Sequence, residues 1–178
     1  MKGLLKNRKF AFAVMIAAAV IALLVGMNRS AHAARAQITD EYYYSNTGIQ
    51  SQLNERMNLS TELTTLAQTT ETGKTGKLDS LIQKVEEDTK ALRKADSPAK
   101  QFEANSQLTA SFAVLANEMQ QTASVKEVVE EFEKAQSLIQ EKENWYNQRV
   151  AEYNSNLSSL PATLFSWAIQ AQPLEEFR

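Results

Sequence analysis

Tyr146-Asn147-Gln148-Arg149-Val150-Ala151-Glu152-Tyr153-Asn154 opens on a Tyr-Asn pair that returns after seven residues, and the pattern closes at Leu160-Pro161. Followed backwards, the same spacing gives a seam of Val129, Phe132, Gln136, Ile139, Glu143, Tyr146, Val150, Tyr153, Leu157 and Leu160 in alternating steps of three and four. A 3.5-residue period held for about nine turns asks one helix to present one stripe to its neighbours. The stretch therefore predicts an all-α fold in which a long last helix packs in a supercoiled bundle. Ser124-Val125-Lys126-Glu127, with the spacing of a capping box, marks where that helix begins.

The preceding segments carry shorter helical patterns. Phe102, Leu108, Phe112, Leu115 and Met119 share one face of a helix that opens with Ser97 as N-cap and Pro98 as first helical residue. Leu78, Leu81, Ile82, Val85 and Leu92 mark a shorter helix that stops before Ala95. A further helix is predicted from about Ile38 to Thr70, with Ile49, Leu53, Arg56, Ser60, Leu63 and Ala67 along its seam and Gly73 and Gly76 opening the loop after it. Composition agrees: only five Gly and three Pro interrupt a chain rich in Glu, Gln, Ala, Lys and Leu.

The first 35 residues differ from the rest. Lys2, Lys6, Arg8 and Lys9 precede an uncharged run from Phe10 to Met27, and Arg29 and Arg35 follow it. The 18 residues of that run rise about 27 Å as a helix, near the hydrocarbon thickness of a bilayer and longer than the apolar core of most signal peptides. Ala31-His32-Ala33 nevertheless has the small-x-small form of a cleavage site, so a membrane anchor and a cleaved leader are both readable, with length favouring the anchor. Basic residues before the run place the short N-terminus in the cytoplasm and the remainder outside. The expected organisation is a basic stub, transmembrane helix and juxtamembrane linker over 1–35, a helical bundle over 36–160, and a tail over 161–178 that carries no charge from Pro161 to Leu174.

Charge and composition exclude several classes of function. All six of the named N-terminal cations lie before residue 36, which leaves 13 basic against 21 acidic residues, a formal charge of −8, on the rest. Such a surface repels phosphate backbones, and no nucleic-acid partner is expected. There is no cysteine and a single histidine, His32, so thiolate, imidazole and common zinc chemistry lack their parts. Gly73-Lys74-Thr75 imitates the end of a P-loop, but Gln68 stands where the first glycine is required. Glu127, Glu130, Glu131 and Glu133 have neither an EF-hand loop nor a Glu-x-x-His partner and read as a solvated face. No catalytic, cofactor-binding or metal-binding residues are assigned, and no cofactor is expected.

Four polar residues sit at seam positions: Arg56 and Ser60 on the first bundle helix, Gln136 and Glu143 on the last. A buried carboxylate needs a cation, so a Glu143 pair with Arg56 or a lysine would fix helix register; a seam locally open to water is the alternative. Asn147 and Asn154 are poor helix formers repeated at one heptad position, which suggests side-chain hydrogen bonds across the bundle, beside Tyr146 and Tyr153 rings that bury while keeping their hydroxyls on polar partners. In the tail, Leu164, Phe165, Trp167, Ile169 and Phe177 form a candidate interaction segment that could cap the bundle, lie at a lipid interface or dock a membrane partner.

Tyr146-Asn147, Val150, Tyr153-Asn154, Leu160-Pro161, Leu164, Pro173 and Phe177, together with Asn46, Leu53, Arg56, Leu59 and Leu63, resemble the signature of the LemA family of bacterial membrane-anchored helical proteins. The chain departs from it at Ser60-Thr61, where the family commonly has Ile-Pro, at Gln136 (Glu), at Glu143 (Arg) and at Gln170-Ala171 (Gly-Phe). The resemblance implies a single-pass envelope protein with an antiparallel helical bundle and no established enzymatic activity. The expectation is an N-terminal transmembrane helix followed by an elongated up-down-up-down bundle of two long and two shorter helices. Its role would be that of a non-catalytic scaffold or adaptor for envelope or membrane proteins in the cytoplasmic membrane, with a homo-oligomer as a further option. The alternative is a ligand-sensing bundle that signals through a separate partner.

Overall fold

A computed structural model of the chain describes residues 8–69, 76–120, 122–159 and 171–178. Five helices occur among them: α1 (Arg8–Tyr43), α2 (Ile49–Thr69), α3 (Asp79–Lys94), α4 (Pro98–Glu118) and α5 (Ala123–Leu157). The chain divides into two compact units, one made of Met1–Gln37 with Ala151–Leu174, the other of Ile38–Val150 with Glu175–Arg178.

The second unit is a helical bundle with up-down-up-down order. Gln50 and Arg56 of α2 meet Gln101 and Asn105 of α4 in the same sequence order, so these two helices run parallel. Asn105 and Phe112 of α4 meet Gln136 and Phe132 of α5 in reversed order, and α3 turns into α4 through Ala95, Asp96 and Ser97 alone. The predicted seams supply the core: Leu53, Leu63 and Ala67 on α2, Ile82, Val85 and Leu92 on α3, Leu108, Phe112 and Leu115 on α4, and Phe132, Ile139 and Val150 on α5 are all buried. At the start of α5 the buried stripe runs through Val125 and Val128, and Val129 is only half-buried.

Two local expectations are corrected. The helix expected over Ile38–Thr70 is broken: Ile38 to Tyr43 end α1, and α2 starts at Ile49. Between them the Ser45 hydroxyl accepts from the Thr47 amide, and the Gly48 amide donates to the Ser45 carbonyl at 2.9 Å. Gly48 is there because the end of α1 crowds it; a Cβ would stand 2.3 Å from the Glu41 carbonyl oxygen and 2.9 Å from that of Tyr42. The N-terminal cap of α5 is Thr122, whose hydroxyl accepts from the Val125 amide at 3.3 Å, and not Ser124. The expected cap at Ser97 has extended backbone, and its carbonyl accepts the Gln101 amide, with Pro98 following at the first helical position.

In the first unit, α1 is one helix long and apolar enough to cross a membrane, and the apolar window is unburied by other parts of the chain. Helix continues without interruption past Ala33 and Arg35 to Tyr43.

Candidate functional site

Among the described residues, the side-chain hydrogen bonds of the Tyr-Asn repeat do not go to neighbouring helices. They hold the main chain of the C-terminal segment. In the bundle unit, Asn147 Nδ2 donates to the Phe177 carbonyl at 2.9 Å while the Phe177 amide donates to Asn147 Oδ1 at 2.7 Å. One side-chain amide thus satisfies both backbone groups of one residue, as a neighbouring strand would. Tyr146 adds a hydroxyl that donates to the Glu175 carbonyl at 2.9 Å.

The same chemistry recurs in the other unit. Asn154 Nδ2 donates to the Leu174 carbonyl at 2.9 Å and its Oδ1 accepts the Leu174 amide at 3.0 Å; Tyr153 donates to the Gln172 carbonyl at 3.1 Å. Arg35 of α1 donates to that same carbonyl at 2.7 Å. The two clasps are seven residues apart on α5 and three apart on the segment they hold.

What distinguishes the clasp in the bundle unit is a side-chain pocket. Phe177 is fully buried, with its ring edge-on to Phe102 at 5.3 Å between centroids and 6.0 Å from Tyr42. Tyr42, itself 4.7 Å from the Tyr146 ring, is anchored by a 2.5 Å hydrogen bond to Gln101 Oε1. Gln101 in turn donates to Gln50 Oε1 at 2.8 Å, tying α1, α2 and α4 together around the pocket. Burial pushes the Tyr146 hydroxyl above the ordinary phenolic range, with the nearby Tyr43 and Glu175 charges adding to the effect. It stays protonated and able to donate at neutral pH.

A second polar centre surrounds Arg56, which is fully buried. Its Nη1 donates to Asn105 Oδ1 and Gln136 Oε1, and its Nη2 to Thr109 Oγ1 at 2.7 Å. The guanidinium lies 4.0 Å from the centroid of Phe132, whose ring stacks on Phe112 at 3.6 Å. The expected Arg56–Glu143 pair is therefore corrected: neutral oxygens from α4 and α5 take the guanidinium, and Glu143 lies about two turns further along α5. Removal from water lowers the Arg56 pKa to about 10, so it remains charged at neutral pH, and its Nε has no hydrogen-bond partner among the described residues. Glu143 is partly buried, and that burial raises its pKa. Lys142 is the residue of that turn that reaches a carboxylate, Glu41 Oε1, at 3.4 Å.

Of the residues singled out in the sequence, Arg56 joins the buried junction, Tyr146, Asn147 and Phe177 form one clasp, and Tyr153 and Asn154 the other. Pro161, Leu164, Phe165, Trp167 and Ile169 lie outside the described residues, as do Gly73, Lys74 and Thr75. Asn105, Thr109, Gln101 and Tyr42 were not foreseen. A signal existed for Gln101 and Asn105, which share the heptad of Leu108, Phe112 and Leu115 and so had to face the core. No group of three or more potential metal ligands occurs among the described residues. An open groove of about 340 Å³ runs between α3 and α4, lined by Leu81, Lys84, Asp88, Gln107 and Val114 among others.

Fold and site together define a class: a helical bundle, preceded by an apolar helix, whose last helix carries paired Tyr-Asn clasps for its own C-terminal segment. A sequence profile of the LemA family matches residues 45–178, from the turn before α2 to the end of the clasped segment, and the chain belongs to the LemA family. No curated protein and no solved structure is matched by the chain.

Proposed function

We propose that this LemA family member is a non-catalytic scaffold or adaptor, anchored in the cytoplasmic membrane by the apolar part of α1, with its bundle outside, that holds envelope or membrane proteins through the C-terminal half of α5 and the tail. The observation that carries the reading is the clasp. Its polar side chains are aligned on main-chain donors and acceptors, an arrangement suited to gripping a polypeptide rather than to moving protons or transferring groups. The unburied apolar window of α1 supports the anchor, and four cations before it support the orientation.

The test is capture of membrane proteins by the tagged full-length protein after crosslinking in cells. Replacing Leu164, Phe165 and Trp167 together with Ser should abolish capture and leave helicity intact; undiminished capture removes the tail from the reading. A ligand-sensing bundle draws on one observation, the groove between α3 and α4. Val114→Arg, which puts a charged side chain at its wall, would then abolish a response that tail variants leave untouched.

A further inference from the structure

The geometry points to the Tyr146–Asn147 clasp as an exchangeable peptide site: the C-terminal strap of a second copy of this chain can replace the chain's own, linking copies by strap exchange. This rests on the adaptor reading and names its partner at that site.

Two observations carry it. Among the described residues, every polar contact that Tyr146 and Asn147 make with the strap, the C-terminal segment over 171–178, goes to a main-chain atom, the Glu175 carbonyl and the two backbone groups of Phe177. The only strap side chain that this clasp buries completely is Phe177, in the pocket formed with Phe102 and Tyr42. Recognition therefore requires a segment that offers these backbone groups together with a phenylalanine at the pocket, and each copy carries one such segment. The contacts that this clasp makes with the strap can all be rebuilt between copies, because each copy carries both the side chains that grip and the segment that is gripped. A swap then exchanges identical interfaces, the feature that makes such dimers inexpensive in free energy. Anchoring in one membrane would hold clasps and straps in a common layer and raise their local concentration.

The experiment uses full-length protein in detergent micelles and a fluorescent peptide of residues 171–178. Phe177→Ala weakens the resident strap, so this variant should bind the peptide at least tenfold more tightly than the wild type. Adding Asn147→Leu should reverse the gain at least tenfold. A peptide with Ala at the Phe177 position should bind about thirtyfold more weakly, as expected for loss of a buried aromatic ring. Phe177→Ala retains a clasp without a good strap, and Asn147→Leu retains a strap without a good clasp. Mixed, they should form a one-to-one complex by native mass spectrometry that neither forms alone. If Phe177→Ala loses helicity, Phe177→Leu serves in its place.

A folded strap variant that does not take up the peptide, or a mixture with no more complex than its components, overturns the proposal. Continued capture of membrane proteins by the wild type in that case removes strap exchange alone. Loss of both removes the adaptor reading with it.

Discussion

The Arg56 junction and the Tyr146–Asn147 clasp are both polar insertions in apolar helix seams, yet they spend their hydrogen bonds on different targets. Arg56 bonds to three particular side chains, Asn105, Thr109 and Gln136, on two other helices. Sliding α4 or α5 by one turn would leave a buried guanidinium without acceptors, so the junction specifies register. The clasp bonds to backbone, which every residue offers, and relies on one aromatic ring for identity. A side-chain network in the core makes a fold unique, whereas a side-chain grip on main chain makes an attachment that can be released and remade.

The comparison breaks first at Arg56. Arg56→Ala removes a large, fully buried side chain and leaves three oxygens without their donor, so we expect a loss of about 3–5 kcal/mol in global stability. Thermal and urea unfolding followed by circular dichroism would measure it. A loss below about 1 kcal/mol would mean that water replaces the guanidinium, and the junction would cease to be a register device.

Phe177→Ala is expected next in size, and different in kind. Burial of the ring and the order it brings to the strap amount to about 2–3 kcal/mol, lost from the strap and not from the bundle. Hydrogen exchange should show the Phe177 amide, which donates to Asn147 Oδ1, losing protection while amides in the middle of α2 and α4 keep theirs. Uniform loss across the bundle would show that the strap is part of the cooperative core, and the contrast between the two regions would disappear.

The same contrast explains what could be read in the sequence. The heptad of α5 and the apolar faces of α3 and α4 are local periodicities, and they gave the bundle and its order. The break at Tyr44 to Gly48 was hidden because its cause is the close approach of the Glu41 and Tyr42 carbonyls, a matter of backbone path. Arg56 was legible as a buried cation, but charge alone suggested Glu143, and helix offset placed Gln136 opposite it. Asn147 and Asn154 were legible as hydrogen-bonding positions, since poor helix formers recur there. Their partners were not, because a main-chain acceptor leaves no residue type by which to recognise it.

Gln136→Glu sharpens the comparison from the junction's side. It exchanges a neutral acceptor of Arg56 for a carboxylate, which the LemA signature commonly has at this position, and should add about 1–2 kcal/mol at neutral pH through a charge-assisted bond. The new carboxyl would have a folded pKa below its unfolded value of about 4.3. The gain is therefore fully present above that value and lost as pH falls through the folded pKa. Wild type and variant should differ in melting temperature at pH 7 and converge at low pH. A gain that persists in acid would assign the effect to packing.

The smallest expected effect lies at alkaline pH and concerns the clasp. Burial raises the folded pKa of Tyr146 above its ordinary value, so the folded protein keeps a phenolic proton that the unfolded chain releases near pH 10. Its contribution is complete below the unfolded pKa and is lost as pH rises towards the folded one. Ionisation would also replace the donor to the Glu175 carbonyl with a negative charge facing that oxygen. The grip should therefore weaken above about pH 10, seen as uptake of the 171–178 peptide by Phe177→Ala that falls as pH rises. With Tyr146→Phe added, which lacks the donor at every pH, uptake should be lower at pH 8 and should not fall further. Parallel alkaline curves for the two proteins would place the sensitive group elsewhere and leave Asn147 and the Phe177 ring as the whole of the grip.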